Sequence, residues 1–443
     1  MNTNYSFREG KICPRCAKIH KTSVKETRVK SGAVRELPEL IRKYGGARAF
    51  VVADVNTYAA GGERVVKILE AAGIPASEYV FADRKLEPDE KALGALLMHY
   101  DRSCDVIVAV GSGVINDLCK ILADFTGNTY VVVATAASMD GYASANSSVI
   151  RAGLKVTLAS KAPDVIVGDT DILNAAPPDM AKAGLGDMIA KYISICEWQL
   201  SNLINGEDYC EEVAAYTRSV REACIAAADG IAAGDADAIA NVFCGLVAAG
   251  NSMAFVGGSR PCGGAEHYFS HLWDMRGLEF GTSTSSHGVQ TAVGTVYCLK
   301  AFEALRRITP NRERALRYAR DFDFGAWSEM LTKFLGKGAD AMIALEAREG
   351  KYDLDKHRAR LEIIIDKWDG IIKIIDEELP SSAEIERLLE SIGAPRSIED
   401  IGLEKSILPM TLMATKDIRD KYILSRLLWD LGILEEVAEE IAK

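Results

Sequence analysis

The segment Asp105-Val-Ile-Val-Ala-Val-Gly-Ser-Gly-Val-Ile-Asn-Asp117 joins an apolar run, a turn with two glycines and the beginning of a helical pattern. The apolar run predicts a buried strand, and helical spacing follows as far as Phe125. Gly111 and Gly113 allow the backbone to approach a ligand, and the first N–H groups of the helix are available to a phosphate. The pattern differs from the usual G-x-G-x-x-G because Asn116 occupies the third glycine position, so an ordinary tight strand–helix turn is the alternative.

Further apolar runs alternate with helical patterns on both sides of this segment. The apolar runs are Ala49–Asp54, Tyr79–Ala82 and Tyr130–Ala134, and the helical stretches are Thr57–Ala72 and Pro88–Tyr100. Strands that alternate with helices in this way predict a parallel sheet that is covered on both faces.

The pattern changes after Pro177-Pro178, because two prolines end one element and cannot continue a helix. From Asp179 onward almost every segment has helical spacing. We therefore expect an N-terminal segment of residues 1–33, an α/β domain of residues 34–178 and an all-α domain of residues 179–443. Two domains also suit the length, since 443 residues exceed what one hydrophobic core usually holds.

The composition is that of an ordinary globular protein, with 48% hydrophobic and 26% charged residues. The net charge of -11 gives no general attraction for nucleic acid or anionic lipid, so an anionic substrate requires a local site. The N-terminus lacks the apolar segment of a secretory signal, no apolar run approaches bilayer-spanning length, and the ten cysteines are scattered like reduced thiols. We expect a cytoplasmic protein without membrane or nucleic-acid partners.

Polar residues at the ends of predicted strands are candidates for cofactor and substrate binding. Asp54 closes the first strand, where an acid can hydrogen-bond the ribose of a dinucleotide; a helix N-cap for the stretch that begins near Thr57 is an equal alternative. Thr135, Ser138 and Asp140 follow the fourth strand, and a solvated turn is the alternative there. The candidate cofactor-binding residues are Asp54, Gly111, Ser112, Gly113, Asn116, Asp117, Thr135 and Ser138.

Three of the six histidines fall between positions 267 and 287. Helical spacing places His267 and His271 one turn apart on one face, and His287 opens the next helix after a loop. Upstream, Asp187 follows Gly184-Leu-Gly at the start of a helical turn. One carboxylate and two imidazoles suit a divalent metal ion with a position left open for substrate; histidines that cap helices or line a polar interface are the alternative.

The N-terminal Cys13-Pro-Arg-Cys16, with His20 shortly after it, resembles half of a zinc site. A structural zinc site usually has four ligands, and no fourth ligand is obvious nearby in the sequence. We therefore favour incidental thiols in an edge segment, with zinc binding as the alternative.

The stretch Ser259-Arg-Pro-Cys-Gly-Gly-Ala-Glu-His-Tyr-Phe-Ser-His-Leu-Trp-Asp274 resembles the signature of the sn-glycerol-1-phosphate dehydrogenases, which belong to the dehydroquinate synthase and iron-type alcohol dehydrogenase superfamily. The resemblance extends through Val110–Asp117, Thr135–Ser144 and Gly184–Asp187, and it covers nearly the whole chain beyond Val34. It implies a Rossmann-like, dinucleotide-binding N-terminal domain followed by a helical domain, which is the dehydroquinate synthase-like fold. It also implies a homodimer or a larger homo-oligomer.

The same resemblance assigns residues to the chemistry. It places the metal ligands, for zinc or nickel, on Asp187, His267 and His287. His271 matches a position near the substrate, and Asp140 matches an acid that contacts substrate hydroxyls in related glycerol dehydrogenases.

Two neighbouring families differ from this chain at informative positions. Dehydroquinate synthases carry Glu at the position of Asp187, and iron-type alcohol dehydrogenases carry His at the position of Lys191. Both differences favour the glycerol-1-phosphate branch. The N-terminal cysteine-containing segment departs from the pattern of the main domain.

The reaction implied is reversible hydride transfer between NAD(P)H and dihydroxyacetone phosphate, which gives sn-glycerol 1-phosphate and belongs to phospholipid metabolism. A metal ion would polarise the C2 oxygen, and His271 would relay the proton or else support the metal site. Arg260, beside the predicted helix start at Gly263-Gly264, is the first candidate for binding the phosphate, ahead of Lys155 and Lys191. A surface or interface role for Arg260 is the alternative.

Three other functions are open: a glycerol or polyol dehydrogenase for unphosphorylated substrates, a sugar-phosphate cyclase like dehydroquinate synthase, and a non-catalytic nucleotide-binding protein. The presence of Asp187, His267 and His287 together argues against the last of these. The expected cofactors are NAD or NADP and one divalent metal ion, zinc or nickel.

Overall fold

The computed structural model describes residues 7–152 and 154–443, with only the backbone described at Leu154. Positions 1–6 of the expected N-terminal segment, residues 1–33, therefore lie outside the described residues. The rest of that segment is mostly irregular and leads into the first strand at Glu26–Lys30.

The strands form one parallel sheet and one hairpin. Their bounds are β1 Glu26–Lys30, β2 Ala49–Asp54, β3 Ala76–Phe81, β4 Val106–Gly111, β5 Thr129–Ala134, β6 Asn146–Arg151, β7 Leu154–Ala159 and β8 Val165–Asp169. Six of them pair in the order β1-β8-β5-β4-β2-β3, with every pairing parallel, and β6 pairs with β7 in antiparallel fashion. The parallel sheet expected from the alternating pattern is confirmed.

Valine-rich sequences explain why the central strands lie inside. Val108 and Val131 pack in one buried cluster with Leu37, Ile41 and Leu69 from two helices that cover the sheet. Strands covered on both faces carry continuous apolar runs instead of an alternating pattern, and β4 is buried along its whole length.

The order of the strands creates a topological switch point. The chain passes from β2 outward to β3, and then β4 pairs with β2 on its other side. The carboxyl ends of β2 and β4 therefore flank the place where connections depart in opposite directions. Open α/β sheets bind their ligands at such a place.

Helices make up most of the remaining chain, and a π-helix at Tyr58–Gly62 lies between the second and third of them. Their bounds are α1 Leu37–Lys43, α2 Val55–Thr57, α3 Glu63–Ala71, α4 Glu90–His99, α5 Gly113–Thr126, α6 Thr170–Asn174, α7 Pro178–Ile189, α8 Lys191–Asn205, α9 Glu211–Ile225, α10 Ala228–Ala233, α11 Ala236–Val256, α12 Ala265–Phe280, α13 His287–Leu305, α14 Arg312–Arg320, α15 Phe324–Leu335, α16 Gly338–Glu349, α17 Leu354–Asp366, α18 Trp368–Glu378, α19 Ser382–Ser391, α20 Leu408–Thr415, α21 Leu424–Asp430 and α22 Leu434–Ile441.

The chain divides into two compact units. The first extends to Met188 and includes Ala215–Gly258, and the second comprises Ile189–Ala214 and Ser259–Lys443. This division differs from a single boundary after residue 178 because α11 packs against α6 and against the 3-10 helix Asp140–Tyr142 of the first unit. The second unit is helical throughout its regular elements, with α12 and α13 packed against each other.

One helix meets the length and composition of a membrane span, which the sequence pattern had not led us to expect. Helix α11 has 21 residues, and its most apolar window has a mean hydropathy of 1.6. Inside the fold, 78% of that window is buried, as in a core helix.

Candidate metal and cofactor site

Helix α12 carries His267 in its first turn, and two buried carboxylates hold the start of this helix. Oε2 of Glu197 accepts the N–H of Ala265 at 3.0 Å, and Oε1 of Glu266 accepts the N–H of Gly264 at 2.8 Å. Burial, followed by the charge of Glu266, raises the pKa of Glu197 above its ordinary value. The first N–H groups of α12 are therefore bonded to carboxylates of the same unit.

Glu266 also orients the imidazole that follows it. Its Oε1 lies 2.8 Å from Nδ1 of His267. Because a carboxylate oxygen accepts, Nδ1 carries the hydrogen and Nε2 of the neutral ring keeps its lone pair. Pairs of this kind commonly fix metal-binding histidines in proteins.

A chain of polar side chains orients His287 in the same way. Nε2 of Gln290 donates to Oδ1 of Asp274 at 3.0 Å, and Oε1 of Gln290 accepts the hydroxyl of Ser270 at 2.7 Å. Since Ser270 gives its hydrogen to Gln290, its Oγ accepts from Nδ1 of His287, 3.0 Å away. Nε2 of His287 is left as the nitrogen with a lone pair.

The three histidines of this region lie close together. Ring centroids are 5.0 Å apart for His267 and His287 and 6.1 Å apart for His271 and His287. All three are on α12 or at the start of α13. The second unit thus holds a cluster of imidazoles, two of which present Nε2 as an acceptor.

Asp187 is fully buried on α7, and its Oδ2 accepts the backbone N–H of Asp140 at 2.8 Å. Gly184, one turn earlier, allows this: a Cβ at that position would lie 2.1 Å from the carbonyl oxygen of Ala137. The position of Asp187 is therefore fixed within the first unit, against the segment that contains Asp140.

The glycine turn after β4 is tied to the segment after β5. Oγ of Ser112 lies 2.7 Å from Oγ of Ser138, and the N–H of Thr135 donates to the carbonyl oxygen of Gly111 at 3.2 Å. A Cβ on Gly111 would lie 2.6 Å from Cβ of Ile115, so glycine is required for α5 to begin there. Two hydrogen bonds therefore join the glycine turn to Thr135 and Ser138 beside the switch point.

Asn116 and Asp117 have contacts that differ from the expected cofactor contacts. Asn116 is fully buried; its Oδ1 accepts the hydroxyl of Tyr130 at 2.7 Å, and its Nδ2 donates to the carbonyl oxygen of Gly141 at 3.2 Å. Asp117 accepts the N–H of Ser148 and lies 3.4 Å from Nζ of buried Lys120. These contacts join α5 to the strand β5 and to the segment of residues 141–148 that follows it.

Asp54 has the helix-capping role that was one of its two expected roles. Its Oδ1 accepts the N–H groups of Asn56 and Thr57 at 2.7 and 2.9 Å, and the hydroxyl oxygen of Thr57 accepts the N–H of Asp54. Both of these N–H groups donate to Oδ1, the same carboxylate oxygen of Asp54. The capping role is therefore compatible with a second contact through Oδ2.

Arg260 has contacts that argue against its expected role in binding phosphate. Its Nε lies 2.7 Å from Oε1 of Glu207, and its two Nη atoms donate to the carbonyl oxygen of Tyr422 and to Oγ of Ser201. The N–H groups expected to assist it are also engaged, since Gly263 donates to the carbonyl oxygen of Ser259. The side chain is an ion-pair partner inside the second unit.

Several residues of the site were not identified from the sequence. Glu266, Ser270 and Gln290 orient the two histidines, and Glu197 holds the start of α12. Only Glu266 had a signal, because an acid directly beside a histidine can bond to its ring. The other three act through contacts that require the helices to be packed.

Comparisons with known proteins identify a matching family model and several relatives. The model of the iron-containing alcohol dehydrogenase family matches residues 28–177. A glycerol-1-phosphate dehydrogenase [NAD(P)+] of Halalkalibacterium halodurans is 31% identical over 402 residues, which cover 90% of each chain. One from Methanosarcina mazei is 32% identical over 267 residues, which cover 60% of this chain and 73% of the relative.

Solved structures show the same fold at low identity. A 1,3-propanediol oxidoreductase has a TM-score of 0.61 at 15% identity and covers 95% of this chain and 98% of its own. A probable glycerol dehydrogenase from Sinorhizobium meliloti has a TM-score of 0.59 at 17% identity, with coverage of 95% and 96%. Given the 31% identity along nine-tenths of a full-length relative, this chain belongs to the glycerol-1-phosphate dehydrogenase family.

Proposed function

We propose that this protein interconverts dihydroxyacetone phosphate and sn-glycerol 1-phosphate with NAD(H) or NADP(H) as hydride carrier. The observation that carries the proposal is the orientation of His267 and His287, in each of which a partner on Nδ1 makes Nε2 the ring nitrogen with the lone pair. With Asp187, these two imidazoles are the proposed metal ligands. Relatives named glycerol-1-phosphate dehydrogenase along most of the chain support it.

The donor set fits a divalent metal ion. One carboxylate and two neutral imidazoles suit zinc or nickel, and three protein ligands leave a position for substrate. The fixed tautomers of His267 and His287 are a further fit, because Nδ1 is already engaged in each ring. When bound, the cation supplies Lewis-acid polarisation of the C2 oxygen, and the nicotinamide supplies the hydride.

His271 is proposed to hold the proton that the C2 oxygen gains in reduction. It lies one turn after His267 on α12, and its ring centroid is 6.1 Å from that of His287. An imidazole exchanges protons near neutral pH. Asp140 is proposed to accept hydrogen bonds from the substrate hydroxyls; its backbone N–H is fixed by Asp187, so substrate and metal ligand are positioned through one hydrogen bond.

The nicotinamide dinucleotide is proposed to bind at the switch point between β2 and β4. The two strand ends supply Asp54 and the turn Gly111–Gly113, and Thr135 and Ser138 are fixed against that turn. The start of α5 offers N–H groups to the pyrophosphate. Oδ2 of Asp54 would face the ribose, since Oδ1 is used in capping.

We propose a cytoplasmic homodimer whose substrate phosphate contacts Lys155 or Lys191, since Arg260 is paired with Glu207. That same ion pair favours one alternative, a polyol dehydrogenase for unphosphorylated substrates, because the expected phosphate contact is occupied.

Both functions are tested by one assay. NADH oxidation is followed with enzyme loaded with Zn²⁺ or with Ni²⁺, using dihydroxyacetone phosphate and dihydroxyacetone as substrates. We expect kcat/KM to be higher for the phosphorylated substrate, and the product to be the sn-1 isomer. A higher kcat/KM for dihydroxyacetone would support the polyol dehydrogenase, and no oxidation with either would overturn both proposals.

A further inference from the structure

Lys120 is a buried lysine to which the proposed reaction assigns no role. It lies on α5, which begins at Gly113 in the proposed cofactor turn, and its side chain is fully buried. Removal of an ammonium group from water costs free energy, so a buried lysine requires oxygen acceptors that replace the water. The acceptors of Lys120 therefore indicate which part of the fold its charge holds.

Three oxygen atoms from one short segment accept hydrogen bonds from this ammonium. Nζ of Lys120 donates to the carbonyl oxygen of Gly141 at 2.5 Å. It also donates to Oγ of Ser144 and to the carbonyl oxygen of Asn146, each at 3.0 Å. An ammonium group has three hydrogens, so these contacts use all of them. Residues 141–146 thus form a turn around one positive charge.

The turn begins directly after Asp140, the residue proposed to bind the substrate hydroxyls. The backbone N–H of Asp140 donates to Oδ2 of Asp187 at 2.8 Å. A Cβ at Gly250 on α11 would lie 2.8 Å from the carbonyl oxygen of Asp140, so this helix packs closely against it. The next carbonyl oxygen, that of Gly141, is bound by Lys120. The backbone is therefore held on both sides of Asp140, which fixes the direction in which its side chain leaves the chain.

The charge of Lys120 acts on Asp140 in the same sense. Burial lowers the pKa of Lys120, and the negative charges of Asp117 and Asp140 act in the opposite direction. Asp117 lies 3.4 Å from Nζ of Lys120. Because the attraction between two charges is mutual, the ammonium stabilises negative charge at Asp140.

We propose that Lys120 is a positioning residue, which holds residues 141–146 so that the carboxylate of Asp140 accepts hydrogen bonds from the substrate hydroxyls. The inference rests on the proposed function, in which Asp140 binds those hydroxyls. Lys120 acts through Asp140 and not on the substrate, because its three hydrogens are bonded to oxygens of the protein. Small displacements of such a group have large effects on the rate, since the contact depends on distance and direction.

Steady-state kinetics of Lys120→Met test the inference, because methionine removes the charge and keeps most of the side-chain volume. We expect kcat/KM for dihydroxyacetone phosphate to fall by about ten- to a hundred-fold. KM for NADH should hardly change, whereas a general loosening of α5 would raise it as well. Lys416→Met is the matched control, since Lys416 is also buried and is paired with Asp417 in the second unit. It should leave both quantities unchanged.

A double-mutant cycle separates positioning from a general structural role. Asp140→Asn should lower kcat/KM for dihydroxyacetone phosphate by itself. Addition of Lys120→Met to that variant should then have little further effect, because both substitutions act on the same contact. If the two losses multiply, Lys120 acts independently of Asp140 and the inference is overturned.

Ser144→Ala is the second variant, because it removes only one of the three acceptors of Lys120 and is less disruptive. It should lower kcat/KM for dihydroxyacetone phosphate by a smaller factor, and only when Asp140 is present. Crystal structures of the wild type and of the variants report the position of Asp140 without an assay. A wild type that oxidises no NADH with dihydroxyacetone phosphate would overturn the proposed function. A carboxylate of Asp140 that stays in place in the variants would overturn the role of Lys120.

Discussion

Oγ of Ser270 lies 3.0 Å from Nδ1 of His287, and the same hydroxyl donates a hydrogen bond to Oε1 of Gln290. This relationship makes the serine an acceptor from Nδ1, so Nε2 is the nitrogen of His287 that carries the lone pair. The first prediction follows from it.

Ser270→Ala should weaken metal binding by about ten- to a hundred-fold, because loss of a residue that orients a ligand typically has that effect. The measurement is the metal content of the protein after dialysis against graded concentrations of a chelator. Ser194→Ala is the control, since Ser194 is buried and bonds to the carbonyl oxygen of Pro261. Equal affinity for Ser270→Ala and wild type would show that Ser270 does not orient His287.

Asp54→Asn should raise kcat/KM with NADP relative to that with NAD. Asparagine keeps the oxygen that caps α2, while the negative charge that repels a 2′-phosphate is lost. Asp89→Asn is the matched control because Asp89 caps α4 through the same kind of bond to Ala92. If the cofactor ratio is the same in both variants, Asp54 serves only as a helix cap.

Arg260→Ala should lower stability instead of changing phosphate recognition. Removing the guanidinium leaves Glu207, Ser201 and the carbonyl oxygen of Tyr422 without this donor, a loss of about 1–3 kcal/mol in the free energy of unfolding. The ratio of kcat/KM for dihydroxyacetone phosphate to that for dihydroxyacetone should be unchanged. A selective rise in KM for the phosphorylated substrate would restore Arg260 as the phosphate contact.

Gly184→Ala should destabilise the protein and weaken metal binding together. The added Cβ would lie 2.1 Å from the carbonyl oxygen of Ala137, so α7 must move away from the segment that precedes Asp140 and loosen the bond to Asp187. Gly94→Ala, in the open interior of α4, should instead stabilise by about 0.5–1 kcal/mol. Thermal unfolding of both variants measures the contrast; stabilisation by both would show that α7 can shift without loss.

The local elements could be predicted from the sequence because their causes are local. The apolar run at 49–54 is β2 with the same bounds, and the run with the two glycines becomes β4, its turn and α5. Glycine at 111 and 113 and the spacing of His267 and His271 follow from chain geometry. Other elements were not identified: β1 lies at the sheet edge beside β8, which is 135 residues later in the chain and needs the assembled sheet.

The candidate site was predicted in part. Asp187, His267 and His287 were assigned through the family resemblance, and the contacts of Glu266, Ser270 and Gln290 add the reason for the orientation of the two rings. Those contacts join residues on packed helices, and a serine or glutamine carries no signal for such a role in the sequence itself.

Tertiary structure decided the partners of the charged and metal-binding side chains. From the sequence alone, Arg260 lies beside glycines and is a candidate for binding phosphate. Folding brings Glu207 to Arg260 across a sequence separation of 53 residues, and it brings Ser270 to His287 across 17 residues. Hydrophobic spacing fixes which face of an element is buried, but the packing of many faces together determines which polar atoms then meet.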